Sequence, residues 1–236
     1  MKRTAVTMLA VLGLTIGAGE ARAQWLDVNR KLKDKKVSIH TAVLLPAQVT
    51  FQTIGAKGPE GNAAAGETIA DSLYAAVSQE LSARGVDILQ DPRLAAKDDA
   101  AKYAIADLQT LYDNIIVQAR KKAGKVKDGL FTLGDRVSSF APGARADVLV
   151  FIRGNGQVLT RGGKLVTIAT SGVIGSILRE SFHGEITLVD AKTGEVMAFA
   201  RFMRHDKITD DTDDQLAELV FDALYNVPLP IPPPEQ

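Results

Sequence analysis

Hydrolytic chemistry needs a nucleophile, or an activated water, beside a base, and this chain offers few groups able to form that set. Its imidazoles are His40, His183 and His205. His183 and His205 close the ends of two successive segments expected to pair as strands, which brings both rings to the open end of one hairpin. Together with the carboxylates of Asp206 and Asp210 they form the best candidate for a hydrolase site assembled from distant residues. Serine chemistry has no support: neither Gly-x-Ser-x-Gly nor Ser-x-x-Lys occurs anywhere. Metal chemistry fares similarly. Asp206, Asp210, Asp211, Asp213 and Asp214 form an acidic run, and a calcium loop counted from Asp206 needs glycine at its sixth position and glutamate at its twelfth. Those positions hold Asp211 and Ala217. Carboxylates ahead of a helix, complementing its positive end, explain the run instead.

Gly61 to Thr68 (GNAAAGET) has the glycine spacing of a phosphate loop, but Glu67 stands where that loop needs lysine. A carboxylate there repels the phosphates it ought to neutralise. No nucleotide, metal or other cofactor is therefore expected, and no catalytic residue is assigned.

Lys2-Arg3, an uncharged apolar run from Thr4 to Gly17, and Ala21-Arg22-Ala23 match a secretory signal cut after Ala23. No cysteine follows the cut, so the expectation is a periplasmic protein that is not a lipoprotein. Removing residues 1–23 takes away Lys2, Arg3, Arg22 and Glu20, leaving 25 basic against 27 acidic side chains. A charge so near zero gives no global field for nucleic acid. The absence of cysteine also leaves folding to apolar burial, without disulfides. Two basic patches, residues 30–36 and 120–127, leave peripheral contact with anionic membrane open.

The elements that must position any site follow from hydrophobic period. Residues 24–36 read as a polar leader ahead of a single α/β domain at 37–226, and Pro228 to Pro234 as an extended tail within 227–236. Val37, Ile39, Val43 and Leu45 alternate as a strand that ends at Pro46 and resumes through Phe51. Gly55 to Gly66 reads as a loop. Ile69, Leu73, Val77 and Leu81 recur every fourth residue, which predicts a helix stopped by Gly85. Val86–Leu89 reads as a short strand, and Ile105, Leu108, Tyr112, Ile115 and Ala119 mark a second helix starting near Asp98 or Asp99. Lys125–Pro142 reads as irregular. Ala146–Arg153 is apolar on both faces, as in a central strand, and Gly154-Asn155-Gly156 reads as a turn closing it. Glu185–Asp190 and Glu195–Arg204 form a hairpin across residues 191–194. Thr212–Gln215 matches a capping box before Leu216, Leu219, Val220 and Leu224. The expected fold is a mixed sheet of about five strands packed with about three helices.

Several of these segments together resemble a known domain: Leu44-Leu45-Pro46, the helix Ile69–Gly85, ADVLVFIRGNG (Ala146–Gly156) and GEITLVDAKTGEVMAFARF (Gly184–Phe202). The arrangement is similar to the α/β domain shared by the curli-secretion protein CsgG, the amino-terminal domain of TolB and the penicillin-binding-protein activator LpoB. It is closer still to uncharacterised proteobacterial envelope proteins with the same Leu-Leu-Pro and late Thr-Gly-Glu-Val hairpin. The resemblance implies a non-catalytic part of an envelope machine, associating with envelope proteins or with copies of itself.

Val166, Ile168, Val173, Ile174, Ile177 and Leu178 lie in an uncharged arm with Gly172 and Gly175. That arm is too short to span a bilayer; it is either a strand or bend packed on the core or the candidate interaction surface. The alternatives are the hydrolase above and a small-ligand carrier, which requires a closed apolar pocket.

Overall fold

The computed structural model describes residues 25–89, 99–122, 124–140, 146–160, 180–205 and 212–233. The signal segment, Asp206, Asp210, Asp211 and the 166–178 arm lie outside the described residues. Among those described, the chain builds one eight-stranded mixed sheet and five helices.

The central strand is β6 (Val148–Leu159). Its first half pairs in parallel with β2 (Thr41–Leu44), and its second half pairs in parallel with β3 (Gln48–Gly55). The break between β2 and β3 falls at Pro46, which has no amide hydrogen to give a ladder. β5 (Asp87–Ile88) extends the sheet beyond β2, and β4 (Gly58–Gly61) folds back on β3. On the other side of β6 run β7 (Ser181–Asp190), β8 (Val196–Arg204) and β1 (Trp25–Val28), all antiparallel to their neighbours. The hairpin turn between β7 and β8 is held by the Asp190 carboxylate, which accepts from the amides of Lys192 and Thr193 at 2.9 and 2.7 Å. Gly194, at φ +71°, supplies the left-handed residue there.

Strand alternation sends Val150, Ile152, Ile186 and Leu188 to one face and Leu149, Phe151, Val189 and Phe199 to the other. The first face is covered by α2 (Ala63–Ala83) and α5 (Thr212–Leu224), whose stripes Leu73, Val77, Leu81 and Leu216, Leu219, Val220 are buried. Each such side chain contributes roughly 1.5–3 kcal/mol of burial. The second face is covered by α3 (Asp99–Lys121), a 3-10 turn (Val126–Asp128) and α4 (Arg136–Phe140).

Four expectations change. The presumed leader is part of the fold: Trp25–Val28 is an edge strand on β8, and Asn29 caps α1 (Arg30–Lys33), burying Leu32. Four residues are too short to show a period. Residues 55–61 are not a loop but the turn and return strand of the β3–β4 hairpin, and Asn62 caps α2 by accepting from the Ala65 amide at 3.1 Å. The Gly61–Gly66 spacing thus spans a strand end and a first helical turn rather than a phosphate cradle. Gly154-Asn155-Gly156 is not a turn, for β6 runs straight through it to Leu159. Lys125–Pro142, expected irregular, holds the 3-10 turn and α4. Helix α2 nevertheless ends as its pattern requires, with Arg84 as C-cap and Gly85 at φ +78°.

Candidate functional site

Three successive cross-strand rows on the α3 side of the sheet step from core to solvent. The innermost is Phe151–Thr187–Phe199. Tyr112 of α3 closes it: its ring stacks on Phe151 at 4.4 Å, and its hydroxyl lies 2.8 Å from that of Thr187. Burial pushes the Tyr112 phenol well above its ordinary range, so it stays a neutral hydrogen-bonding partner.

The second row is charged. Gln48, Arg153, Glu185, Arg201 and Trp25 are direct neighbours across five strands, β3-β6-β7-β8-β1. Arg120, in the last turn of α3, reaches down and grips Glu185 with Nε and Nη2, and Arg201 Nε lies 3.3 Å from the same carboxylate. That carboxylate holds Arg120 above its usual range. Arg153 lies over the Tyr112 ring at 5.1 Å and donates to Asp113 Oδ1 at 3.1 and 2.7 Å. The third row is Thr50, Asn155, His183 and Met203, and no helix covers it among the described residues. The second and third rows, walled by Asp113 and Arg120, enclose an open cleft of about 720 Å³.

His183 and His205 do come together at the end of the β7–β8 hairpin. The His183 ring titrates below its ordinary range, first because it is partly desolvated, then through its electrostatic interaction with His205 and Arg201, with Glu185 opposing them. No hydrogen bond joins either imidazole to a carboxylate among the described residues, and Asp206 and Asp210 lie outside them. His40 is elsewhere, its amide donating to Asp147 Oδ2 at 2.9 Å. Among the described residues no three histidine, aspartate or glutamate side chains converge as metal ligands, and no helix is long and apolar enough to cross a membrane. Asp213 and Asp214 stand in the first turn of α5, where carboxylates complement the helix dipole.

The lowered titration of His183 gives a pH dependence with a definite sign. Its unfolded pKa is near 6.5 and its folded value is lower, so the unfolded state takes up more proton. The contribution to stability is whole above that value and is lost as the pH falls below it. Between about pH 7 and about pH 5, urea unfolding of the wild type should therefore weaken more steeply than that of His183→Gln. Parallel profiles would show that the ring is not desolvated.

The two basic patches converge as well. Asp27 Oδ2 accepts from the Val126 amide at 2.9 Å, and Arg30 pairs with Asp128 at 3.2 Å, so Arg30, Lys33 and Lys127 border one hollow. Sequence reasoning missed the Arg120–Glu185–Arg201 cluster entirely. The only signal was Glu185, a charged residue among the apolar positions of a strand.

No protein-family model and no curated protein matches the chain. Among solved structures it is similar to the PelC dodecamer of Paraburkholderia phytofirmans, at 10% identity and TM-score 0.39, covering 90% of this chain and 99% of that one. A point variant of that dodecamer, in a second crystal form, overlaps at 14% identity and TM-score 0.38, over 89% and 99% of the two chains. Lipoprotein GNA1162 of Neisseria meningitidis overlaps at 10% identity and TM-score 0.36, over 79% of this chain and 97% of that one. At such scores these overlaps are similarities and carry no argument about what this chain does.

Proposed function

We propose that this is a non-enzymatic periplasmic protein of the cell envelope that works by association, as a scaffold or assembly component binding envelope proteins or copies of itself. The likeness to the CsgG, TolB amino-terminal and LpoB domain belongs to this proposal, as do export with cleavage after Ala23 and the lack of a lipid anchor.

One observation carries the reading. Among the described residues the sheet outruns its helical cover on the α3 side, leaving Gln48, Thr50, Gln52, Asn155 and His183 exposed on the strand surface. The cleft there is open and bordered by charged and amide side chains, unlike the closed apolar pocket that a small-ligand carrier needs. Gln157 pairs with Ser181, so the described parts of β6 and β7 end together at this same open end, and the sequence between them holds the apolar 166–178 segment. An uncharged sequence bearing Val166, Ile168, Val173, Ile174, Ile177 and Leu178 has the composition that docking of a partner or a second copy needs.

The test is Ile174→Asp with Ile177→Asp. The double variant should keep the circular dichroism and unfolding midpoint of the wild type while losing its oligomer in sedimentation velocity, or its partner in envelope cross-linking. Loss of the fold would put the arm in the core, and unchanged assembly would remove it from the interface.

A further inference from the structure

We propose that the cleft above Glu185 is an oxyanion-binding site that takes a carboxylate or phosphate group. The proposal rests on reading the open sheet face as the working surface, and it adds the chemistry of what docks there.

Charge comes first. Arg120, Arg153 and Arg201 meet two carboxylates, Glu185 and Asp113, so the cluster keeps one surplus positive charge. That surplus is unevenly placed. Asp113 accepts hydrogen bonds from Arg153, whereas Glu185 is shared between Arg120 and Arg201. A single carboxylate cannot satisfy two guanidinium forks, each of which presents five donors.

The unused donors are definite atoms. Arg201 uses only Nε on Glu185, so its two terminal amino groups make no hydrogen bond among the described residues. Arg120 uses Nε and Nη2, which leaves Nη1. Arg153 borders the cleft, and its buried Nη1 has no partner among the described residues, which is uncommon for a buried donor. The side chains of Arg120 and Arg201 remain 40% and 42% exposed, so their donors face the opening.

The site is also held ready. Arg120 is fixed by its two bonds to Glu185, and Arg153 by Asp113 and the Tyr112 ring. Little rotamer freedom remains to be lost when an anion arrives. Gln48, Thr50 and Asn155 border the same opening with amide and hydroxyl groups, and Trp25 forms one wall. A volume of about 720 Å³ exceeds what a bare ion fills, so the oxyanion is expected to be one group of a larger ligand.

Small anions test the cleft without any partner, so failure here is separable from failure of the assembly reading. Inorganic phosphate and glucuronate are titrated into the full protein at low ionic strength, with binding followed by calorimetry and by the imidazole resonances of His183. The groups facing that ring are His205, Arg201 and Glu185, and an anion beside Arg201 should raise the pH at which His183 titrates. Saturable binding tighter than about 10 mM is expected for at least one probe, and the tighter probe names phosphate or carboxylate as the class.

Arg201→Gln, at a half-exposed position, should keep its fold and weaken binding about tenfold or more. Glu185→Gln should strengthen it, because the competing carboxylate is gone; a purely structural ion cluster gives no such gain. Lys31→Gln, at the separate basic surface, should bind as the wild type does. Absence of saturable binding, or equal binding by Arg201→Gln, would overturn the proposal.

Discussion

Arg84→Met is expected to lower the unfolding free energy by about 3 kcal/mol, as read by chemical denaturation. Arg84 is 3% exposed, a buried cation at the end of α2, and its guanidinium ties the end of the chain to the domain. Nε donates to the carbonyl of Ile231 at 2.8 Å, Nη2 to that of Val227 at 2.8 Å, and Nη1 to that of Leu224 at 3.1 Å. The Ile231 amide returns a bond to the Arg84 carbonyl at 3.0 Å. Leu224 keeps a second donor in the Val227 amide, but Val227 and Ile231 lose the side-chain partner of their carbonyls.

An unsatisfied buried acceptor costs about 1–3 kcal/mol, and the buried Val227 carbonyl sets the expected scale, with a smaller share from the half-exposed Ile231. Glu80 adds to it. Burial already raises its carboxyl above the ordinary range, and Arg84 is the group that opposes that rise. Arg84→Lys keeps the charge but has no planar fork, so it should recover only part of the loss. A second readout is proteolysis, since the tail after Leu224 should become cleavable first. A loss below about 1 kcal/mol would show that the tail carbonyls find water as readily as Arg84.

Much of this architecture was legible in one sequence, and the reason is local. The stripe Ile69, Leu73, Val77, Leu81 is a property of α2 alone, and all four residues are buried. Leu216, Leu219, Val220 and Leu224 did the same for α5. On α3 the pattern found Leu108, Tyr112 and Ala119, while Ile116 proved more deeply buried than Ile115, a shift of one position around the helix. The break at Pro46 and the turn at 191–194 were equally readable, because proline and glycine act on their own residues.

What could not be read is whatever depends on register between distant strands. Arg153, Glu185 and Arg201 become a row only because β6, β7 and β8 align at those residues, and no spacing in the chain announces it. Arg120 then joins from α3, 65 residues before its partner. Conversely, the nearness of His183 and His205 was legible, since a short hairpin sets the register that puts His183 opposite Met203, two residues before His205.

Glycines inside the strands lead to the last expected result: Gly184→Ala should cost about 3 kcal/mol or more. Glycines 154, 156 and 184 are strand residues whose missing side chains make room for aromatic rings on the face opposite the cleft. A Cβ on Gly184 would lie 2.0 Å from the ring of Phe202, its direct neighbour on β8. At Gly156 the closest ring atom, from Phe51, is at 2.4 Å, and at Gly154 the ring of Phe182 and a methyl of Val49 are both at 2.9 Å. Phe202 is 2% exposed and cannot swing clear, whereas Phe51 is only partly buried and can. Alanine should therefore be worst at 184, intermediate at 156 and mildest at 154, in thermal or denaturant unfolding.

Trimming the obstructing ring supplies the control. Phe202→Leu alone is destabilising, but in Gly184→Ala it should restore part of the loss, so the two costs add to more than the double variant shows. Simple additivity, or a larger cost at 154 than at 184, would mean that these rings do not occupy the glycine hollows. Because His183 and Glu185 flank Gly184 on β7, any strand shift that relieves the clash also displaces the charged row. Gly184→Ala should accordingly lose anion binding in the cleft even where enough folded protein remains to measure it.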